Sequence, residues 1–131
     1  ANALTLIDWL VDRSEVRRVR YPAWPADPDH ALWQRDFRGA SGLFAIELFP
    51  CAPEALAAFV DGLQLFGLGY SWGGYESLLL PVHPEHSRSA TAWTAVGPWL
   101  RIHAGLEAPM DLIADLAAGF ERLHSSSSPG L

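Results

Sequence analysis

The segment FGLGYSWGGYESL, residues Phe66 to Leu78, lies between two apolar runs and combines four glycines with two tyrosines, two serines and a tryptophan. Glycine lacks a Cβ atom, so glycines at this density indicate a loop whose backbone turns sharply or approaches another surface closely. Aromatic and hydroxyl side chains between glycines are typical of a rigid loop that presents them to a ligand. A tight turn whose rings fill the core would explain the same composition equally well. We therefore treat Tyr70, Ser71 and Trp72 as candidate binding residues.

The composition of the 131 residues predicts a single domain, residues 1–131, that is large enough to bury a core. Its formal net charge of −6 argues against nucleic acid or an anionic membrane as the main partner, because both need a basic surface. No apolar run reaches the roughly 18 residues of a membrane span, and the N-terminus has no signal-peptide pattern. We expect a soluble, cytoplasmic protein whose partners are small molecules and proteins.

The chain has no lysine, since all nine of its basic residues are arginines. A lysine amine is the group that forms a Schiff base with pyridoxal phosphate or with a carbonyl substrate, and the permanently protonated arginine cannot replace it. Schiff-base chemistry is therefore excluded for this chain by itself. Cys51 is the only cysteine, which excludes a disulfide within the chain.

The hydrophobic pattern predicts an α/β domain (α+β-like) with a small, mainly antiparallel sheet and helices on one face. Residues 22–42 are rich in proline, and we expect no more than one or two helical turns there, around residues 29–35. Residues 125–131 read as a flexible tail. Helices are predicted over residues 1–13, from residue 53 and over 109–124, and strands over 15–21, 43–49, 77–82 and 99–104.

The predicted strand 99–104 alternates between apolar residues, which would pack on the helices, and a second face that carries Arg101 between Trp99 and His103. We expect this second face to be uncovered. The planar guanidinium of Arg101 suits a carboxylate bound through two hydrogen bonds. An ion-paired or solvated strand arginine is an equally good interpretation from the pattern alone.

Three motifs together carry a resemblance to a known family: YSWGGYESL at residues 70–78, GPWLRIHAGLE at 97–107 and DLIADL at 111–116. They resemble the C-terminal domain of bacterial cystathionine β-lyases, within the pyridoxal-phosphate-dependent Cys/Met metabolism (transsulfuration) family, and the resemblance extends over essentially the whole chain. It implies the small C-terminal domain of fold-type I enzymes. It also implies that Arg101 holds the α-carboxylate of the substrate, with Ser71 and Trp72 beside it and Tyr70 as a weaker assignment.

The resemblance further implies a carbon–sulfur lyase that converts cystathionine to homocysteine, pyruvate and ammonia with pyridoxal 5'-phosphate in the full-length enzyme. In that family the Schiff-base lysine and the phosphate cradle belong to a large N-terminal domain. We therefore expect this chain to be a fragment that has no catalytic residue of its own, binds no cofactor and is inactive alone. Its expected partners are that N-terminal domain, an amino-acid thioether substrate and a second copy of the chain, with Trp72 or Trp99 at or near the contact.

Two other functional classes are compatible with parts of the sequence. A stand-alone binding or oligomerisation module, derived from the lyase domain, would not need the missing lysine. The segment Gly69 to Gly73 fits the G-x-S-x-G pattern of serine hydrolases, but that pattern needs a strand before the serine and a helix after it, and we predict the reverse order here. His83 and His86 are too few ligands for a metal site, and none is expected.

Overall fold

The structure is a computed structural model that describes residues 2–69, 74–83, 89–90 and 96–127. The described residues form four helices and five strands around one buried cluster. The helices are α1 (Asn2–Leu10), α2 (His30–Asp36), α3 (Pro53–Asp61) and α4 (Pro109–Ser127), and the strands are β1 (Val16–Arg20), β2 (Leu43–Leu48), β3 (Gly67–Leu68), β4 (Leu78–Val82) and β5 (Trp99–His103).

The five strands form one sheet in the order β1-β2-β5-β4-β3. The pairs β1–β2, β2–β5 and β4–β5 are antiparallel, and only the short pair β3–β4 is parallel. The predicted α/β class with a mainly antiparallel sheet is therefore confirmed. Strand β5, the last in sequence, lies in the middle of the sheet and is hydrogen-bonded on both sides.

The core lies on one face of the sheet, where alternate residues of the inner strands meet α1, α3 and α4. Leu100 and Ile102 of β5 are completely buried there, and the rings of Phe59 and Phe120 stack at a centroid distance of 5.0 Å. Burying one such large apolar side chain stabilises the fold by about 1.5 to 3 kcal/mol. Pro53 begins α3, where its missing N–H is not needed, and the apolar residues of α3 recur at helical spacing toward α4.

Most strand boundaries shift by one residue, and three differences from the prediction are larger. The short strand β3 lies inside the glycine-rich segment that was predicted as a loop, because two residues of which one is glycine carry no alternation that a pattern could reveal. Helix α1 ends at Leu10, three residues before the predicted end. Helix α4 continues to Ser127, so residues 125–127 of the predicted tail are helical, and residues 128–131 lie outside the described part of the chain.

Helix α4 holds the connection from α3 to β3 through one carboxylate. Asp115 accepts the backbone N–H of Gln64 at 3.0 Å on one oxygen and that of Leu65 at 2.8 Å on the other. The N–H of Phe66 lies 3.3 Å from the same second oxygen. The backbone N–H groups of three consecutive residues, which follow α3 and precede β3, are thus all hydrogen-bonded to the side chain of Asp115.

A second residue of α4 closes the end of α3. Arg122 donates from Nε to the carbonyl of Ala58 at 2.9 Å and from Nη2 to the carbonyl of Phe59 at 3.0 Å. A Cβ atom at Gly62 would lie 2.2 Å from the Nε atom of Arg122, so glycine leaves the space that this side chain occupies. These contacts are on the helical side of the domain.

We predict that Asp115→Ala lowers the free energy of unfolding by about 1 to 3 kcal/mol, because several backbone donors lose their acceptor at once. Chemical denaturation followed by tryptophan fluorescence measures the change. Asp8→Ala, at an exposed position of α1, is the control and should stay within about 0.5 kcal/mol of the parent. Equal effects of the two substitutions would contradict the bracing role of Asp115.

Candidate functional site

Arg101 occupies the middle of β5, the middle strand of the sheet. Its register partners are Ala45 on β2 and Leu80 on β4, and all three residues are half-buried. Since directly paired residues of antiparallel strands share a face, Arg101 lies between two small or apolar neighbours on the face opposite the helices. This is the face on which the alternation predicts it.

The expectation that this whole face is uncovered is wrong at the two ends of β5. Trp99 is only 4% exposed and His103 only 5%. The guanidinium of Arg18 lies 5.8 Å from the ring centroid of Trp99, a distance typical of a cation–π contact. Trp99 therefore does not offer the exposed ring that the predicted self-association would use, whereas Arg101, between these two buried residues, is only half-buried.

A wholly buried carboxylate holds the entry to β5. Glu47, the register partner of Trp99, accepts the backbone N–H of Val96 at 2.8 Å and that of Gly97 at 3.1 Å. Its other oxygen accepts from Nη1 of Arg17 at 2.7 Å, and Nε of Arg18 lies 3.5 Å away. Two consecutive arginines reach the same carboxylate because the pairing of β1 with β2 shifts at this point, as in a β-bulge.

The environment of Glu47 keeps it ionised. Burial by itself raises the pKa of this carboxyl, but the N–H groups of Gly97 and Val96 and the guanidinium of Arg17 outweigh it, so that the pKa is lowered overall. Gly97 itself packs too closely for a side chain, since a Cβ atom there would lie 1.9 Å from the carbonyl oxygen of Leu48. The entry to β5 is therefore fixed by both charge and close packing.

Sequence analysis missed Glu47, because one acid inside the run LFAIELF was counted as part of an apolar strand. A carboxylate predicted to be buried needs a charged or hydrogen-bonding partner, and the run EVRRVRY contains three arginines. The three arginines of this run are all ion-paired. Arg17 and Arg18 face Glu47, and Arg20 pairs with Asp27 at 3.2 Å and Asp29 at 2.7 Å.

A second carboxylate holds the exit from β5. Glu107 accepts the hydroxyl of Ser77 at 2.7 Å and the backbone N–H of Ser77 at 3.2 Å. The same hydroxyl oxygen accepts the N–H of Gly105 at 2.8 Å. A Cβ atom at Gly105 would lie 2.3 Å from the carbonyl oxygen of Tyr75, so the two chain segments approach as closely as glycine allows.

Two further side chains join this exit. The Nε2 atom of His103 lies 3.1 Å from the carbonyl oxygen of Gly74, and since a carbonyl only accepts, Nε2 carries the proton. Asn2 donates to the carbonyls of Gly105 at 2.9 Å and Glu107 at 3.1 Å. Burial raises the pKa of Glu107, but the Ser77 hydroxyl, backbone N–H groups and the charge of His103 lower it overall, which keeps the carboxylate ionised.

The two described ends of the glycine-rich segment meet beside this exit. The N–H of Gly67 donates to the carbonyl of Ser77 at 3.0 Å, and Leu78 pairs with His103 of β5. The predicted binding residues Tyr70, Ser71 and Trp72 lie outside the described residues. After the described segment from Gly74 the chain enters strand β4, whereas a serine-hydrolase nucleophile would be followed by a helix.

Within the described ranges, no group of three or more histidine, cysteine or acidic side chains could hold a metal ion, and His86 lies outside them. The helices that the structure describes are all too short or too polar to cross a membrane.

In a comparison with protein families, residues 1–121 match the model described as Cys/Met metabolism PLP-dependent enzyme. Cystathionine β-lyase from Bordetella avium is 48% identical over 122 residues, which cover 92% of this chain and 31% of that protein. Cystathionine β-lyase from Salmonella typhimurium is 46% identical over 126 residues, covering 93% of this chain and 32% of that enzyme. An L-alanine/L-glutamate racemase from Wolbachia pipientis is 44% identical over 126 residues, covering 93% of this chain and 31% of the racemase.

Among solved structures, cystathionine γ-synthase from Xanthomonas oryzae pv. oryzae in complex with cystathionine is similar, with a TM-score of 0.77 and 34% sequence identity. The match covers 95% of this chain and 33% of the synthase. The chain thus spans about a third of the length of the proteins that it matches.

We predict that Glu47→Gln lowers the free energy of unfolding at pH 7 by about 1.5 to 3 kcal/mol, because the amide NH2 group cannot accept the hydrogen bonds that one carboxylate oxygen accepts. The pKa of Glu47 is lowered by folding, so its contribution is complete above the unfolded pKa of about 4.3 and is lost as the pH falls through the folded value. The difference between variant and parent should therefore shrink below about pH 4.

Denaturant unfolding at several pH values measures this difference. Glu121→Gln, at an exposed position of α4, is the control and should show little effect at any pH. A Glu47→Gln effect that is independent of pH would contradict the assignment of an ionised carboxylate.

Proposed function

Because the chain belongs to the Cys/Met metabolism family of PLP-dependent enzymes, we propose that it is the substrate-binding domain of a carbon–sulfur lyase that converts cystathionine to homocysteine, pyruvate and ammonia. Two similarities support this substrate. Relatives named cystathionine β-lyase are 46–48% identical to the chain, and a similar solved structure contains cystathionine. The complete enzyme is a soluble, cytoplasmic homo-oligomer in this proposal.

The observation that carries the proposal is the position of Arg101. A half-buried guanidinium in the middle of the sheet, between Ala45 and Leu80, is less screened by water than one on an open surface. Its fork of N–H donors matches the two oxygens of a carboxylate. We assign Arg101 to the α-carboxylate of the substrate, with Ser71, Trp72 and Tyr70 as further substrate-binding residues.

The residues of this chain do not fit the attachment of the cofactor. Pyridoxal phosphate is held in such enzymes through a lysine amine, and the chain contains no lysine. In the complete enzyme the cofactor supplies the electron sink for bond cleavage next to the α-carbon. The part that we assign to this chain is to bind and orient the amino acid, a contribution that reduces the entropic cost of reaction.

A second candidate activity is racemisation of an amino acid. It is supported by the 44% identity to the L-alanine/L-glutamate racemase from Wolbachia pipientis. Both reactions act on an amino acid whose α-carboxylate must be held, so Arg101 would serve either. Product analysis separates them, since the lyase releases a thiol and a 2-oxo acid, whereas the racemase inverts a chiral centre and releases nothing.

In the complete enzyme, Arg101→Lys should raise the KM for cystathionine about ten- to a hundredfold, because a single ammonium cannot reproduce two parallel charged hydrogen bonds. Steady-state kinetics with thiol detection measures this change. Arg35→Lys, at an exposed ion pair with the adjacent Asp36, is the matched control and should leave KM unchanged. If Arg101→Lys left kcat/KM at the parental value, Arg101 would not contact the substrate.

The 131-residue chain alone should not cleave cystathionine. It should also not show the visible absorbance of a pyridoxal phosphate aldimine, since it contains no amine side chain that could bind the cofactor covalently. Absorbance titration with the cofactor and a thiol-release assay test both points. The complete enzyme, measured in parallel, should show both signals. Turnover by the lysine-free chain would refute this part of the proposal.

A further inference from the structure

We propose that Glu107, acting through Ser77, is a positioning residue for the carboxylate site. In this proposal it sets how well Arg101 holds the substrate carboxylate without touching the substrate itself. The inference rests on the proposed role of Arg101. It concerns a different pair of residues, on the turn after β5 and at the start of β4.

Ser77 and Glu107 are connected to Arg101 through the pairing of β4 with β5. On β4 and β5 the register pairs are Arg101 with Leu80 and His103 with Leu78. Ser77 immediately precedes Leu78, and Glu107 lies four residues after His103. The bonds between Ser77 and Glu107 therefore fasten the start of β4 to the turn after β5, at the end of the strand pair that carries Arg101.

Ser77 and Glu107 join the two segments through several hydrogen bonds. Ser77 is only 1% exposed, and its hydroxyl both donates to Glu107 at 2.7 Å and accepts from the N–H of Gly105 at 2.8 Å. Its backbone N–H donates to the other carboxylate oxygen at 3.2 Å. The N–H of Leu106 also donates to the carbonyl of Tyr75 at 2.9 Å, so Glu107 is one of several groups that set the spacing of these two segments, and it is the one that binds both the hydroxyl and the N–H of Ser77.

The position of β4 beside Arg101 affects how the guanidinium binds a carboxylate. Bidentate recognition of a carboxylate depends on the direction of the guanidinium plane as well as on its charge, and displacements well below the length of a hydrogen bond weaken it. If Glu107 is removed, the segment before β4 loses two of the hydrogen bonds that join it to the turn after β5, and Leu80 is held less firmly beside Arg101. Substrate affinity should fall more than the rate of the chemical step, because the charge of Arg101 remains.

The test uses the complete enzyme with four variants: Glu107→Ala, Glu107→Gln, Ser77→Ala and the double variant Glu107→Ala/Ser77→Ala. Glu107→Ala should raise the KM for cystathionine about three- to tenfold with a much smaller change in kcat, a pattern expected when binding rather than chemistry is affected. Glu107→Gln keeps the volume and one acceptor, and should recover part of the loss. The double variant should be no worse than the more affected single variant, because both residues act through the same bonds.

A second readout separates positioning from general destabilisation. For the parent enzyme and each variant, we would measure the inhibition constant of an amine divided by the inhibition constant of the non-reacting amino acid that carries the additional carboxylate. This ratio reports the carboxylate contact alone, and it should fall in Glu107→Ala. Arg122→Met is the stability control, because it removes two hydrogen bonds at the end of α3 on the helical side of the domain and should leave the ratio unchanged.

The outcomes are distinguishable. An unchanged KM and an unchanged inhibitor ratio in Glu107→Ala, with stability lowered as in Arg122→Met, would show that Glu107 is structural only and would overturn this inference alone. If Glu107→Ala does not fold, the same criteria apply to Glu107→Gln. A parent enzyme that does not distinguish the amino acid from the amine would overturn the proposed role of Arg101, and this inference with it.

Discussion

The ionised carboxylates at the two ends of β5 are the constraint on which the rest of this structure depends. Glu47 holds the backbone that enters the strand, and Glu107 holds the chain that faces its exit. Glu47 is wholly buried and Glu107 is half-buried. Removing a carboxylate from water is costly unless hydrogen bonds and opposite charges satisfy it, and here both are satisfied in part by backbone N–H groups. Because those N–H groups belong to segments distant in sequence, each carboxylate fixes a tertiary arrangement rather than a local one.

This bracing would hold the strand in place for the role that we propose for Arg101. An arginine side chain has several rotatable bonds, and its value for recognition depends on how much of that freedom is already lost before the ligand binds. The middle strand of a sheet provides neighbours on both sides, and close packing at Gly97 and Gly105 leaves the strand ends little room to shift. The fold thus positions Arg101 by fixing the strand, in which Ala45 and Leu80 are its register partners.

What the sequence could predict was governed by local pattern. The alternation of residues 99–104 predicted β5 and the face on which Arg101 lies, and helical spacing predicted α3 and α4. Neither Glu47 nor Glu107 was predicted as a structural centre, because their partners lie 49 and 30 positions away. The spacing of apolar residues along the sequence does not indicate which backbone N–H group a carboxylate will contact in the folded chain. The same limit explains why Trp99 and His103 were expected to be exposed: their alternation was correct, but the segments that cover them come from elsewhere in the chain.

The central claim is that Arg101 binds the α-carboxylate of an amino-acid substrate. A crystal structure of the complete enzyme with a non-cleavable thioether analogue tests it most directly. The account predicts two parallel hydrogen bonds of about 2.7 to 2.9 Å between the guanidinium of Arg101 and the two carboxylate oxygens. A carboxylate bound by other residues, with the guanidinium of Arg101 turned away from it, would contradict the account.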